Sequence, residues 1–598
     1  MKNFREKAEL IWKVADLLRG DYKQSDYGKV ILPMTVLRRL DCVLAPTKQK
    51  VLDYLPKIAS LKDNAQDIAL NKVAGLNFHN KSQFDFEKLV ADPTSIALNL
   101  KNYINGFSSG AREIIEYFNF DDQIDRMDHP QADILFRVVK SFEEIDLSDM
   151  DSMEMGYVFE ELIRKFAEQS NETAGEHFTP REVIRLMVNV LFNEDREILT
   201  KEGIVKTLYD PACGTGGMLS SGEEYVKELN PKAELKVFGQ EINPESYAIC
   251  KSDMLIKGQN PSNIKFGNTF TVDGLENEKF DYMLSNPPFG VDWKKAEKAI
   301  KAEAEKKGMS GRFGAGLPRI NDGSLLFLQH MISKMKSTGS RIGIVFNGSP
   351  LFTGAAESGE SNIRRWIIEN DWLEAIIALP DQLFYNTGIS TYVWIVTNHK
   401  SKERKGKIQL INATGVKDEE LVKEGKLEVN RFWQKMDRSL GNKRKKIAEN
   451  GNSKGIGFIT QLYGDFQENE FCKIYPNEFF GYWRVTVEQP LKENGKVVKT
   501  KGQPKPDTSL RDYENIPFLK KTKEGKLAPQ AIDDYFKAEV KPHLPEAWID
   551  DTKTKIGYEI NFTKYFYEFK PLRTLAEIKA DILALEEKTE LGLIGLTD

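Results

Sequence analysis

The feature that most constrains the fold is a glycine-rich loop after an acidic residue, at the end of a short β-prone run. Residues 206–209 form that run, and a helical stretch begins at Met218. Glycine lets the backbone turn sharply towards a ligand, and the first N–H groups of a helix can bind an electron-rich group. The sequence therefore predicts a strand, a ligand-binding loop and a helix. The candidate ligand-binding residues of the loop are Asp210, Cys213, Gly214, Thr215, Gly216 and Gly217.

The residue types of this loop indicate the kind of cofactor. It lacks the G-x-G-x-x-G pattern of dinucleotide-binding folds, and it places an acid ahead of its glycines. An acid there suits a cofactor with a cationic amino-acid end, so S-adenosylmethionine (SAM) fits better than NAD. An ordinary glycine turn is the alternative.

Two later strand candidates carry further cofactor contacts. Residues 235–241 end in Glu241, at about the 20–30 residue separation where a Rossmann-like sheet places an acid for the ribose hydroxyls. Residues 264–270 contain Asn268, a candidate partner for the adenine ring of the cofactor. A surface glutamate is the alternative interpretation of the first of these.

A second motif, Asn286-Pro287-Pro288-Phe289, follows a fourth strand candidate at residues 280–284. Open α/β sheets bind ligands at the carboxyl ends of their strands. The exocyclic amine of a purine is a poor nucleophile, because its lone pair is delocalised into the ring. Two acceptors, the Asn286 side-chain oxygen and the Pro287 carbonyl, can pull the amine nitrogen towards tetrahedral geometry. Phe289 offers a face on which the base can stack. A base inside a duplex must be flipped out of the helix to reach this pocket. A proline-rich turn is the alternative.

With these two motifs in this order, the chain resembles the N6-adenine DNA methyltransferases of the gamma group. More narrowly, it resembles the modification subunits of type I restriction-modification systems, most clearly over residues 156–399. Many relatives have aspartate where this chain has Asn268, although asparagine can still accept through its oxygen. The resemblance also assigns an upstream cofactor motif to Glu176, His177, Phe178, Thr179, Pro180 and Arg181.

The resemblance implies partners as well as an activity. Double-stranded DNA would be the substrate, and a separate specificity subunit would choose the sequence, with two methyltransferase chains for each specificity chain. No G-x-x-x-x-G-K-[ST] phosphate loop occurs in the sequence, so ATP-driven translocation would belong to a separate restriction subunit.

Length and composition predict a multidomain cytoplasmic enzyme. A chain of 598 residues suggests about three or four domains. Its net charge of −5 means that DNA binding needs clustered basic residues or a partner. No apolar run approaches the roughly 20 residues of a membrane span, and we expect no signal peptide and no membrane contact. The four cysteines form no C-x-x-C pair, so we expect neither a disulfide framework nor a metal site.

Hydrophobic periodicity predicts the domain organisation and an α/β fold class. We expect a helical domain over residues 1–150, a catalytic domain with a doubly wound, Rossmann-like sheet over 151–405, and an extension over 406–598 that ends in a helix. Within the catalytic domain, the charged residues 291–322 are a solvated helix and linker or a mobile DNA-facing loop, with the first slightly favoured.

The extension contains three segments that are open to two interpretations. The basic stretches 442–446 and 496–505 are solvated faces or phosphate contacts, with the first favoured. Thr574 and Glu577 form a capping box ahead of an apolar seam. That seam packs onto its own domain or docks onto a specificity subunit, and it consists of Leu575, Ile578, Ile582 and Leu585.

Two other functions share these motifs. The Asn-Pro-Pro-aromatic sequence also serves methyltransferases of protein glutamine and of RNA exocyclic amines, although those enzymes are usually shorter. A structural subunit that binds SAM and transfers nothing is the second alternative. The intact Asn286 and Phe289 argue against it.

Overall fold

The computed structural model describes residues 3–129, 133–170, 179–201, 203–385, 387–440, 442–448, 454–567, 574–576, 578–583 and 585. The chain divides into two units, residues 1–560 and 561–598. None of the helices in these described ranges has the length and apolar character needed to span a bilayer.

The first part of the larger unit is helical, as the apolar spacing predicts. The Gly28–Leu44 helix lies at its centre, where Val30, Leu37 and Leu40 are fully buried. The same hydrophobic core includes Ala248 and Ile249 of a later helix. The helices of this region are Asn3–Trp12, Val14–Leu18, Gly28–Leu44, Lys48–Tyr54, Asp63–Ala74, Phe86–Ala91, Ile96–Asn105, Ser109–Glu116, Phe120–Met127, Ile134–Glu143 and Ser152–Ser170.

A nine-stranded sheet follows, and its labelled strands are β1 Val205–Asp210, β2 Glu234–Glu241, β3 Ile264–Phe266, β4 Tyr282–Ser285, β5 Arg341–Phe346, β6 Leu373–Ala378, β7 Tyr392–Thr397 and β8 Lys407–Asn412. The strand order is Cys472–Pro476, β8, β6, β7, β5, β4, β1, β2, β3. Its strands are parallel except β7, which runs antiparallel between β5 and β6, and Cys472–Pro476, which runs antiparallel to β8.

Helices alternate with these strands, which confirms the predicted doubly wound α/β class. Strands β5, β6 and β7 are buried along their whole length, which explains their nearly continuous apolar sequences. The sheet continues past residue 405 into β8, and the domain limits stay a prediction. The accompanying helices are Arg181–Asn193, Arg196–Leu199, Gly217–Leu229, Pro244–Ile256, Glu297–Lys307, Ser324–Ser333, Ser349–Phe352 and Gly359–Glu369.

The rest of the larger unit combines short helices with small antiparallel sheets. A four-stranded sheet contains Gly481–Glu488, Asp512–Pro517, Trp548–Ile549 and Lys555–Tyr558. The helices are Val416–Lys423, Gly455–Asp465, Ile532–Tyr535 and the π-helical Phe536–Val540. The two-stranded ribbons pair Trp433–Leu440 with Lys443–Ile447, Lys492–Glu493 with Lys496–Val497, Lys499–Thr500 with Gln503–Pro504, and Leu519–Lys521 with Leu527–Pro529.

The smaller unit contains the Phe562–Tyr565 helix and a helical stretch whose described residues are 575–576, 578–583 and 585. The predicted apolar seam lies on this stretch, and Leu575, Ile578 and Ile582 are exposed. Glu577 of the predicted capping box lies outside the described residues.

Two charged segments differ from the simplest expectation for them. Residues 291–322 contain the expected helix, but Trp293, Ile300 and Phe313 are buried in a small hydrophobic core. In the basic stretch 442–446, the expectation of a solvated face is wrong for Lys443, which is buried and ion-paired with Glu182. Neither difference could be inferred locally, because both depend on contacts with distant parts of the chain.

A buried ion pair connects two strands on either side of β7. Arg341 of β5 donates to Glu374 Oε1 of β6 at 2.5 Å and also bonds the Tyr463 hydroxyl. Burial opposes ionisation of Glu374, yet the Arg341 guanidinium holds the pKa of Glu374 below its ordinary value.

We expect Arg341→Met to lower the free energy of unfolding by about 3–5 kcal/mol, because it leaves a buried carboxylate without its cation. The double variant Arg341→Met/Glu374→Leu should recover much of this loss, since both charges of the pair are removed together. Urea denaturation of the wild type and both variants measures the difference. A double variant no more stable than the single one would contradict this account.

Candidate active site

The acid at the end of β1 connects the two motifs that the sequence singles out. Asp210 Oδ1 accepts hydrogen bonds from the Ala212 backbone N–H and from the Ser285 hydroxyl, each at 2.9 Å. Ser285 is the last residue of β4 and directly precedes Asn286. Asp210 is only 2% exposed, and burial raises the pKa of its carboxyl to about 7. The first turn of the glycine loop and the start of the Asn-Pro-Pro-Phe motif thus share one buried carboxyl.

The glycine loop has the conformation that its sequence predicts. Gly214 and Gly216 have φ angles of +53° and +89°, which side chains disfavour. A Cβ atom on Gly216 would lie 2.9 Å from the sulfur of Cys250. The Gly217–Leu229 helix begins directly after this turn. Larger residues at position 216 would therefore distort both the turn and its packing.

Glu241 fastens this loop to the end of β2. Its Oε2 accepts from the Gly214 N–H at 2.8 Å, and its Oε1 accepts from Ile242 at 2.8 Å and from Asn243 at 2.7 Å. Burial raises the pKa of Glu241 despite these donors. The predicted cofactor acid is thus also a structural part of the loop.

The loop after β3 closes the same region. Asn268 Oδ1 accepts from the Phe270 backbone N–H at 2.9 Å, and the Thr269 hydroxyl donates to the Pro211 carbonyl at 2.7 Å. The Asn268 oxygen therefore already accepts one bond within its own turn. Asn268 itself borders the cavity described below.

Asn286 forms a hydrogen bond with a residue of the upstream motif. Its Nδ2 donates to the Thr179 hydroxyl at 2.8 Å, although 107 residues separate the two in the chain. Phe289, in contrast, is 9% exposed and packs edge-on against Phe384, with ring centroids 6.4 Å apart. The ring predicted to stack on a base thus belongs to the hydrophobic core in this conformation, and its stacking role stays a prediction.

A cavity of about 520 Å³ lies at the carboxyl ends of β1, β2 and β4, bordered by the loop after β3. A site of this volume is large enough for a small-molecule cofactor. Parallel strands of a doubly wound sheet place such a cavity where the strand order changes direction, here between β1 and β4. The predicted site residues that line it are Thr179, Asp210, Cys213, Gly214, Thr215, Gly217, Glu241, Asn268, Asn286 and Pro288.

Other predicted residues lie elsewhere or outside the described ranges. Pro180, Gly216, Pro287 and Phe289 are not part of the cavity lining. Arg181 stacks over the Tyr157 ring and borders a smaller, neighbouring cavity. Glu176, His177 and Phe178 fall in the segment that the structure does not describe. Within the described ranges, no His, Cys, Asp and Glu side chains form a group that could hold a metal ion.

Comparison with known sequences adds an independent finding. The sequence model of the family described as N-6 DNA Methylase matches residues 150–454, about half of the chain. The chain belongs to the N-6 DNA methylase family. A second family model, the HsdM N-terminal domain, matches residues 8–142.

Individual members of this family show the extent of the similarity. The MjaVII type I restriction enzyme methylase subunit of Methanocaldococcus jannaschii is 32% identical over 353 residues, which are 58% of this chain and 52% of that protein. The MjaIX subunit of the same organism is 26% identical over 423 residues, 67% of this chain and 71% of that protein. The match to the first relative thus spans about half of its length.

A solved structure shares the fold. The type I restriction-modification methyltransferase subunit of Streptococcus thermophilus superposes with a TM-score of 0.60 at 21% identity. The match covers 80% of this chain and 97% of that one.

The structure of this N-6 DNA methylase family member adds cavity residues that the sequence analysis missed. Ile242 directly follows Glu241, and its position after the acid was a usable signal. Phe270 and Phe327, with ring centroids 4.5 Å apart, have no comparable local signal. Trp293 and Lys295 come from the charged segment 291–322, and no local signal in that segment marks them as cavity residues.

The raised pKa of Asp210 predicts a pH dependence of stability. The unfolded carboxyl ionises near its ordinary pKa of 3.8 and the folded one near about 7. Between these values the folded state binds more protons, so rising pH destabilises the wild type until the folded carboxyl has ionised.

We expect Asp210→Asn, which cannot ionise, to gain stability relative to the wild type between pH 5 and pH 8. The gain should be on the order of a few kcal/mol. Thermal melts of both proteins at four pH values measure it. A stability difference that stays constant with pH would show that Asp210 ionises normally.

Proposed function

We propose that this chain is the methyltransferase subunit of a type I restriction-modification complex. It would transfer a methyl group from SAM to the exocyclic amine of a flipped adenine in double-stranded DNA. The observation that carries the proposal is the single cavity in which the glycine loop and Asn286 meet. Membership of the N-6 DNA methylase family supports the choice of adenine.

The residues of the cavity fit SAM. The buried carboxyls of Asp210 and Glu241 both have raised pKa values, so a cationic ligand would offset the cost of their ionisation. The Gly214 and Gly217 backbone allows close approach, and the exposed side chain of Ile242 offers an apolar surface for a flat ring. Bound SAM supplies an electrophilic methyl group on a sulfonium centre.

Asn286 would act on the target amine. Its Nδ2 donates to the Thr179 hydroxyl, which orients the amide, and its side-chain oxygen would be the acceptor. Together with the Pro287 carbonyl, this oxygen would accept hydrogen bonds from the target amine. These bonds would favour a tetrahedral nitrogen whose lone pair is no longer delocalised into the ring. The nitrogen would then bond to the methyl carbon as the methyl–sulfur bond breaks and leaves a neutral thioether, and the extra proton of the amine would pass to solvent. Thr179 would therefore position the catalytic amide as well as border the cofactor.

The proposed partners follow from the kind of complex. A specificity subunit would choose the DNA sequence and bind two methyltransferase chains, and an ATP-dependent restriction subunit would complete the assembly. The relatives are named as methylase subunits of type I restriction enzymes. The exposed apolar side chains of Leu575, Ile578 and Ile582 are the proposed docking face for the specificity subunit.

We expect Asn286→Ala to lower methyl transfer to DNA by about 10²–10³-fold, because one of two acceptors for the amine is lost. SAM affinity should remain within about twofold of the wild type.

Glu241→Gln provides the opposite case, with SAM bound about tenfold more weakly and turnover largely kept at saturating SAM. Calorimetric titration and tritium transfer in the complex measure the two quantities. Wild-type turnover in Asn286→Ala would refute the assigned role.

Long-read sequencing of DNA from a methylation-free host tests the function as a whole. The chain is expressed alone and with its neighbouring subunits. Methylated adenine in one defined motif, present only with the partners, is the expected result. Unmodified DNA in every combination, together with methylated glutamine or RNA by mass spectrometry, would favour the alternative substrates. Bound SAM without any methylated product would favour a structural subunit.

A further inference from the structure

Residues 291–322, termed the lysine arm, lie at the edge of the cavity. We propose that the exposed lysines of the arm bind the phosphate backbone of the DNA strand beside the flipped base. The inference rests on the proposed function, and it assigns a DNA contact surface to the methyltransferase chain itself.

The arm is closed at its base by backbone hydrogen bonds. The Gly323 N–H donates to the Val291 carbonyl at 3.1 Å, and the Trp293 N–H donates to the Ile320 carbonyl at 3.0 Å. The Trp293 indole also donates to the Arg319 carbonyl at 3.0 Å. These three bonds hold the two ends of the arm together.

Arg312 connects the arm to the cavity wall by hydrogen bonds. Its guanidinium donates to the Thr269 carbonyl at 2.8 Å and to the Phe270 carbonyl at 2.9 Å, and both of these residues line the cavity. The same guanidinium bonds Glu303 of the arm helix at 2.7 Å. A planar guanidinium that bonds three groups at once fixes their relative positions. The arm helix is therefore held in a defined place beside the cavity.

Hydrophobic packing fixes the rotation of the Glu297–Lys307 helix about its own axis. Ile300 is fully buried, and Ala296 is 2% exposed, in a core shared with Phe270 and Leu326. With Ile300 facing inwards, helical geometry turns residues 294, 298, 301 and 305 outwards, with 295 and 306 beside them. Five of these six positions are lysines, and all five side chains are exposed.

The charge of this outward face differs from that of the whole molecule. The chain carries a net charge of −5. On the outward face, Glu305 is the one acid, and Glu297 at its edge pairs with Lys301 at 2.7 Å. Glu303 is already neutralised by Arg312. A local cluster of cations on an acidic protein is the arrangement that a polyanion recognises.

The length and position of the helix suit a DNA backbone. Eleven residues span about 16 Å, and each DNA strand carries one phosphate for about every 3.4 Å of the duplex axis. Lys295 itself lines the cavity, so the cationic face starts where the flipped base would enter. Contacts of this kind carry no sequence information, which agrees with sequence choice by a separate subunit.

The test uses the full complex and the variant Lys294→Gln/Lys298→Gln/Lys306→Gln, which leaves the cavity-lining Lys295 in place. Fluorescence anisotropy measures the DNA dissociation constant at several salt concentrations. We expect about tenfold weaker binding near physiological salt and a salt slope reduced by about 2–3, since each phosphate contact contributes about 0.9. SAM affinity of the variant should equal that of the wild type.

The control is Lys521→Gln/Lys523→Gln/Lys526→Gln, which removes the same charge from exposed lysines of the extension that lie outside both of its basic stretches. It should leave the slope within about 0.5 of the wild type. A wild-type slope in the arm variant, or an equal loss in both variants, would overturn the inference. If the wild-type complex methylates DNA in that case, the proposed function survives. A wild-type complex that binds no DNA would overturn both.

Discussion

The hydrogen bond between the Asp210 carboxyl and the Ser285 hydroxyl is the contact on which the proposed site depends. It joins the ends of β1 and β4, the two strands that flank the change in strand order. The glycine loop leaves one of these strands and Asn286 follows the other. Burial of the Asp210 carboxyl is unfavourable, as its raised pKa indicates. An arrangement that costs stability in this way is typical of residues kept for function.

Hydrogen bonds from three other segments complete the cavity around this contact. Glu241 holds the glycine loop at Gly214, and Thr269 holds it at Pro211. Thr179 approaches from the other side and binds Asn286. Each of these three residues both holds part of the cavity in place and lines it. Substitutions there are therefore best interpreted with separate measurements of stability, cofactor binding and turnover.

The sequence predicts the strand ends and the loops of this site because their signals are local. Glycine in a left-handed turn, an acid at a strand end and a Pro-Pro step each show within a few residues. The Thr179–Asn286 bond and the Lys443–Glu182 ion pair span 107 and 261 residues, and no local pattern encodes them. Phe289 is a similar case, since its position in the core depends on Phe384. The role of Arg312 likewise appears only once the fold brings Phe270 beside it.

The central claim is that cofactor and target amine meet in one cavity, between the glycine loop and Asn286. A crystal structure of the chain with S-adenosylhomocysteine tests it most directly. The account predicts that the ribose lies at Glu241 and that the sulfur lies between Gly214 and the Asn286 side chain. A ligand bound elsewhere, or a sulfur turned away from Asn286, would contradict it.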